Sequence, residues 1–339
     1  MKKILMLLLV MAMVFSLAAC GNDAPASEQE DNGSSSEETG ESLAFFDETI
    51  KIIMPYGAGG TSDAVARKFA EVASKYTGKP LVVENLTGGD GIVAATEFGK
   101  EPADTKKIMY TSYGQYYAKA IRANIPFETE DFTPVGVVDD RSWILYVKSG
   151  TFADLNEIIE ESKSRVVTLS GGGVGADAHL AFCGLINTAG GQSKLLSYEG
   201  GGEQKAALLK GEADVFVGTS QICYDEVMNG DVIPVACFTN KDYEGFEGIV
   251  VPNVADMGYE GNVIVGGGML SVRTGADEAT IEDVEALIKL VWEDEEYTDW
   301  IASIGLNDVQ LYDYYLDAYI DSALENAVSA AKGLGIYEN

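Results

Sequence analysis

The chain has 339 residues, 54 of them acidic and 23 basic, for a net charge of −31. Nucleic acid is excluded as a partner, because no segment supplies the basic patch that neutralises phosphate. Screening at physiological salt confines the repulsion of anions to about 8 Å, so any anionic ligand must be held by local donors.

Met1-Lys2-Lys3 is a basic start, Ile4 to Phe15 an apolar run, and Leu17-Ala18-Ala19-Cys20 a small-residue cleavage site ending in cysteine. The run falls short of the roughly 20 residues that span a bilayer. The pattern resembles a bacterial lipoprotein signal. That resemblance implies removal of residues 1–19, a diacylglyceryl group on Cys20, and a protein lipid-anchored to a cell membrane on its extracytoplasmic face, periplasmic or outer. Residues 20–45 then form a disordered acidic tether. Between Gly21 and Ser42 there are seven acids and no basic residue, too polar a stretch to offset the entropy of ordering it.

From Phe46 roughly 290 residues remain, enough for two ordinary domains. A strand, Ile50 to Met54, leads through Pro55-Tyr56-Gly57-Ala58-Gly59-Gly60 to a helix opening with Thr61-Ser62-Asp63. Val65, Phe69, Val72 and Tyr76 recur at the spacing of one buried helical face. Glycine permits positive φ and close backbone approach, which Gly60 is expected to use, and the first N–H groups of a helix lack internal partners. Together these make an anion-binding turn. Neither nucleotide motif fits: no Lys-Ser or Lys-Thr follows Gly60, and Ser62 stands where the dinucleotide fingerprint needs its third glycine. Asp63 is expected to act as a first-turn acceptor that fixes the loop rather than as a ligand group.

Leu81 to Glu84 is the second strand, followed by Thr87-Gly88-Gly89-Asp90-Gly91; Lys107 to Tyr110 is the third, ending at Thr111-Ser112-Tyr113. Such strand–helix–strand units predict a parallel sheet with its turns collected at one edge. Val135 to Val147 carries the chain into a second domain, and after the strand Val166 to Leu169 the glycine grammar returns. Gly171 to Ala178 can be laid under Gly57 to Ala64, which puts Asp177 beneath Asp63. Tyr198-Glu199-Gly200-Gly201-Gly202 opens another helix, closing at Gly211. The strand Asp214 to Val217 ends at Thr219, Val232 to Phe238 returns, and Val265 to Val272 precedes two long helices with apolar faces at Ile281, Val284, Leu287, Ile288 and Val291, then at Leu311, Tyr314, Tyr315, Ala318, Ala327 and Ala331. Cys183, Cys223 and Cys237 leave at least one thiol without an intrachain partner, and a Cys223–Cys237 pair stays open. His179 and Cys183 are two ligands where zinc takes at least three from the protein; no metal or cofactor is expected. Ser62 and Ser170, the serines that His179 could serve as base, lie in nothing like Gly-x-Ser-x-Gly, so no enzyme is expected either.

In order and spacing, Met54 to Asp63, Val83-Glu84-Asn85 with Gly88-Gly89, Gly173-Val174-Gly175 with His179-Leu180, Tyr198 to Gly201, Leu209 to Val215 and Val251 to Tyr259 together resemble the solute-binding proteins of tripartite tricarboxylate transporters, the Bug family. The resemblance implies an α/β, two-domain periplasmic-binding-protein-like fold of the type II, Venus-flytrap kind, with hinge strands and a cleft between the domains. Domain 1 would comprise residues 46–144 and 240–339, domain 2 residues 145–239, with hinges near Arg141–Val147 and Val235–Asn240. It further implies a small carboxylate gripped by the glycine loops, partly through water, and passed to a large and a small integral membrane subunit. The expected contacts are Tyr56, Gly57, Ala58, Gly59, Gly60, Thr61, Ser62, Asp63, Thr87, Gly88, Gly89, Thr111, Ser112, Gly173, Val174, Gly175, His179, Tyr198, Gly200 and Thr219. Asp90 departs from the pattern: it either points into solvent or favours a ligand bearing an amine or bound cation. No lysine or arginine lies in these loops, so backbone N–H groups, hydroxyls and water are expected to hold one or two carboxylates better than three. A hydrolase of small esters or phosphates and a solute-presenting sensor partner are the alternatives.

Overall fold

The computed structural model describes residues 43–89, 91–121, 125–198, 200–307 and 313–337. The lipoprotein signal, Cys20, most of the tether, Asp90, Glu199 and Leu311 lie outside the described residues. The alternation read from the sequence becomes β1 (Ile50–Met54), α1 (Thr61–Thr77), β2 (Leu81–Asn85), α2 (Ile92–Phe98), β3 (Lys107–Ser112), α3 (Tyr113–Ile121) and β4 (Phe132–Arg141). The chain then crosses to β5 (Ile144–Lys148), α4 (Leu155–Ser164), β6 (Val166–Gly171), α5 (Gly184–Thr188), β7 (Gln192–Ser197), α6 (Gly201–Lys210), β8 (Val215–Gly218), α7 (Ser220–Met228) and β9 (Val232–Cys237). The hairpin β10 (Tyr243–Phe246) and β11 (Ile249–Val251) precedes the return strand β12 (Gly266–Arg273) and the helices α8 (Glu278–Glu293), α9 (Glu295–Ser303) and α10 (Asp313–Gly333).

Two five-stranded sheets result, ordered β2-β1-β3-β12-β4 and β7-β6-β8-β5-β9. Neither is wholly parallel, as the strand–helix–strand units had suggested. In each, four strands share one direction and the fourth in spatial order, β12 or β5, runs against both its neighbours. The reason is where those two strands start. Both begin at the crossing between the sheets, so they leave it in the direction opposite to the strands that arrive there. At the crossing three segments run side by side: the Phe238 N–H donates to Trp143 O at 2.8 Å, and the Ile264 N–H donates to Phe238 O at 3.1 Å. The carboxyl ends of the parallel strands of both sheets therefore face one another.

The apolar stripes pack through most of their length, but Tyr76 at the end of α1 and Ala318 of α10, read as parts of buried faces, are exposed. Phe69 and Val72 of α1 meet Val284, Ile288 and Trp292 of α8 over Ile52 and Tyr110 of the first sheet, each large buried side chain contributing roughly 1.5–3 kcal/mol. The Trp292 indole N–H finds Val137 O at 2.7 Å. Tyr243, Phe246 and Val251 of the hairpin share a core with Ile144, Tyr146 and Phe216 of the second sheet. Helix α10 lies against both α3 and α5: Leu316, Ile320, Ala327 and Ala331 enter a core that also holds Tyr113, Ile121 and Leu185. Cys183, Cys223 and Cys237 are buried free thiols, so Cys223 and Cys237 do not pair. Burial pushes the Cys183 thiol up to about 11 and, with the Glu226 charge adding to it, the Cys223 thiol to about 12.

Candidate functional site

The turn after β1 is built by its own residues. Gly59 takes φ +86°, a conformation that costs glycine little and other residues more, and this aims its N–H at Asp63 Oδ2, 2.9 Å away. Asp63 is buried and also receives Arg67 Nε and Nη2, both at 2.9 Å, and Asn85 Nδ2 at 2.8 Å. Burial alone would raise its pKa; the hydrogen bonds from Arg67, Asn85 and Gly59, with the Arg67 charge, outweigh that and hold the carboxyl below its ordinary value. Gly60, expected at positive φ, is instead an extended N-cap at φ −79°. The left-handed residue is its neighbour because the chain must turn before, not at, the helix start.

The turn after β6 repeats this device with different chemistry. Gly175 has φ +78°, and its N–H donates to His179 Nδ1 at 3.1 Å. The imidazole is buried, and desolvation lowers its pKa. β1 and β6 start at Ile50 and Val166, and Gly59 with Asp63 corresponds to Gly175 with His179 by the same offset. The sequence pairing of Asp177 with Asp63 was thus two positions out of step. Asp177 corresponds to Thr61, and each begins helical backbone.

Between the sheets lies a cavity of about 350 Å³. Of the expected contacts, Tyr56, Gly60, Thr61, Ser62, Ser112 and Thr219 line it. The starts of α1, α3 and α7 all reach it, through Thr61 and Ser62, Gly114, and Thr219 and Ile222. The first N–H groups of a helix have no carbonyl four residues back, and the positive ends of helix dipoles favour an anion. Ser112 Oγ accepts from the Gln115 N–H at 3.1 Å and lies 2.7 Å from the Tyr56 hydroxyl. Two polar atoms at the cavity wall, Thr219 Oγ1 and Trp143 Nε1, have no hydrogen-bond partner.

Other expected contacts lie elsewhere. Gly57, Ala58 and Gly59 are exposed and outside the cavity lining, and Asp63 faces into the first turn. Gly173 and Val174 form the exposed crest of the second turn, with Gly175 and His179 holding it from beneath. Thr87, Gly88 and Gly89, Tyr198 and Gly200 are outside the cavity lining, and Thr111 is buried in β3.

Sequence reading missed Arg141, Trp143, Asp177, Gln204 and Gly267, all of which line the cavity. Asp177 sat in the quoted glycine loop, and Arg141 and Trp143 in the expected hinge, so each carried a signal; Gly267 had none. Gly267, at φ +122°, lies so close to Asp139 that an added Cβ would meet Asp139 O at 2.3 Å. Arg141 overturns the expectation of a site without a cation. Its Nε donates to Asp139 Oδ2 at 2.6 Å, and Nη2 to Ser62 Oγ at 2.9 Å and Tyr110 OH at 3.1 Å. Burial works against its charge, but neighbouring Asp139 outweighs that and its pKa is raised. Asp139 is fully buried and also accepts from Tyr110 OH at 2.8 Å, so most of the guanidinium charge is already balanced. Behind it, Asp140 is raised by burial, although it accepts from Tyr319 OH and Asn307 Nδ2, both at 2.7 Å.

Two α/β sheets joined by crossing strands, with helix starts converging on the gap, define a two-lobed binding protein of the periplasmic type. BugD has the same fold, with TM-score 0.71 and 20% identity over 86% of this chain and 99% of that one. So has a Rhodopseudomonas palustris protein solved with adipate, at 0.72 and 19% over 85% and 98%. MatC from Rhodopseudomonas palustris, with bound malate, gives 0.67 and 18% over 86% and 99%. Residues 65–327 match the profile of the TctC family, described as tripartite tricarboxylate transporter family receptor. The chain belongs to this family of solute-binding receptors. It is 26% identical to BugT of Bordetella pertussis over 62% of this chain and 66% of that protein. An Agrobacterium vitis protein of the ttuE–ttuC' intergenic region is 30% identical over 49% of each chain. These matches span about half to two thirds of the curated relatives' lengths.

Proposed function

We propose that this protein captures a small mono- or dicarboxylate between its two lobes and delivers it to the large and small membrane subunits of a tripartite transporter. The observation that carries the reading is the convergence of the α1, α3 and α7 starts on one 350 Å³ cavity. That volume suits a solute of a few carbons. Lobe one takes residues 46–144 and the return from about 265 onward; lobe two takes the rest, including the β10–β11 hairpin. Closure rotates them about the side-by-side crossing, bringing Thr61, Ser62 and Ser112 of the first lobe and Thr219 of the second onto opposite ends of the solute. Lipidation of Cys20 and the acidic tether would keep the receptor at the outer face of the membrane. Among the described residues no helix is long and apolar enough to cross one.

Support against a hydrolase comes from the side chains a nucleophile would need. Ser170 Oγ donates to Gln204 O at 2.8 Å, Ser62 Oγ accepts from Arg141, and His179 Nδ1 is engaged by Gly175. Malate and adipate accompany relatives of this fold, and they set the first panel. Calorimetry is expected to rank succinate, malate and adipate above citrate, because Arg141 is balanced by Asp139 and leaves a third carboxylate without a cation. Saturation at 100 times Kd should add roughly 2.7 kcal/mol of stability. Citrate as the tightest ligand, or turnover of a generic ester or phosphate, overturns the proposal.

A further inference from the structure

Resting on the carboxylate-receptor reading, we infer that Trp143 and Ile222 gauge the length of the solute's carbon chain, each from a seat that a glycine provides. The cavity lining divides by chemistry. Thr61, Ser62 and Ser112 of the first lobe supply hydroxyls beside the α1 and α3 starts, whereas at the crossing and on the second lobe Trp143, Val217 and Ile222 present hydrocarbon. Val217 is buried in β8, while Trp143 and Ile222 are partly exposed.

Both of these side chains lie directly over a glycine. A Cβ built on Gly266 would meet Trp143 at Nε1, Cε2 and Cδ1, 2.5, 2.9 and 3.2 Å away, and one built on Gly201 would meet Ile222 Cδ1 at 2.6 Å. Neither glycine takes a positive φ, so what each supplies is room rather than backbone freedom. The backbone around Trp143 has little play. Trp143 O is held by the Phe238 N–H at 2.8 Å, and Gly267, next to the Gly266 seat, is pressed against the Asp139 backbone. The space open to either side chain is the cavity itself.

With one carboxylate at the α1 and α3 starts, the carbon chain of the solute runs toward the indole and Ile222 and stops against them. In an apolar pocket a single methylene changes affinity about tenfold or more, so two such stops set the accepted length. Calorimetry with butyrate, hexanoate, succinate, glutarate, adipate and suberate tests this on the wild type, Trp143→Ala, Trp143→Phe, Ile222→Ala and Gly201→Ala. Trp143→Ala should move the optimum to longer acids, raising their affinity relative to the wild type's best ligand about tenfold. Ile222→Ala and Trp143→Phe should move it the same way by less, and Trp143→Phe serves should the alanine variant fail to fold. Gly201→Ala keeps every lining side chain but displaces Ile222 inward, and should move the optimum to shorter acids. An order of lengths that stays unchanged while affinity falls equally for every acid, or that moves in the opposite direction, overturns the inference and leaves the carboxylate reading standing. Absence of wild-type binding by every acid in the panel removes both.

Discussion

The turns after β1 and β6 solve one mechanical problem with different residues. Each has a glycine at positive φ whose N–H is held by a buried acceptor four residues later: Asp63 for Gly59, His179 for Gly175. In the first turn the acceptor is a carboxylate tied to Arg67 and Asn85, and the residue facing the cleft two positions earlier, Thr61, is neutral. In the second the acceptor is a neutral imidazole, and the residue facing the cleft, Asp177, carries the charge. The difference teaches that holding a loop and lining the cleft are separable tasks. An acidic side chain beside a glycine turn can do either, according to which way the register turns it.

Removing the stronger clamp should have the largest effect. Asp63→Ala leaves the Gly59 N–H without its acceptor and Asn85 Nδ2 with Tyr56 O alone, and loss of a charged, buried partner costs about 2–3 kcal/mol. Thermal unfolding should show a Tm lower by roughly 5 °C, with carboxylate affinity falling alongside. An unchanged Tm with altered ligand preference would instead place Asp63 against the solute.

A smaller effect separates the two neighbouring glycines of the first turn. Gly59→Ala forces a side chain into φ +86° and should cost about 1 kcal/mol. Gly60→Ala sits at φ −79°, with Gly57 O 3.7 Å from the new Cβ, and should be within about 0.5 kcal/mol of wild type. Denaturant midpoints of the two variants measure the gap; equal losses would mean that the positive φ of Gly59 does not set the two glycines apart.

The smallest effect is in the pH dependence, where the two clamps part company. His179 has a lowered folded pKa, so the unfolded chain takes up its proton first. The His179 contribution is complete above about pH 6.5 and is lost as pH falls from there through the folded value. Asp63 is also lowered, and its contribution is complete above about pH 4 and lost below, through its own folded value. Tm against pH should therefore fall in two stages on acidification. His179 is the sole histidine, so His179→Ala should flatten the first stage and leave the second. A first stage that survives His179→Ala would overturn this assignment, and Asp140 could not supply it, because its raised pKa makes acidification stabilising.

Much of the fold was legible because local chemistry repeats. The β1 to α1 turn, the helix stripe through Val65, Phe69 and Val72, the αL cap at Gly211 and the strand at Val265–Val272 each follow from a period or a glycine within a dozen residues. The cavity lining was legible only where it coincides with those signals, at Tyr56, Gly60, Thr61, Ser62, Ser112 and Thr219. Gly267 was not, because it reaches the cavity through the return strand β12, far from those signals in the chain.

The sequence by itself determined the elements, the glycine turns at the ends of β1 and β6, and membership of a receptor family, since these depend on spacing along the backbone. Tertiary structure decided the rest. It turned β12 and β5 against their neighbours because both strands leave the crossing, and it set Arg141 beside Asp139, which cancels a cation that loop composition had not counted. It also settled which acid folds inward and which faces the cleft, because that choice depends on whether Arg67 and Asn85, or Tyr117 across the gap, stand within hydrogen-bonding distance. Periodicity is a property of one segment, whereas charge balance and hydrogen-bond partners belong to segments that only folding brings together.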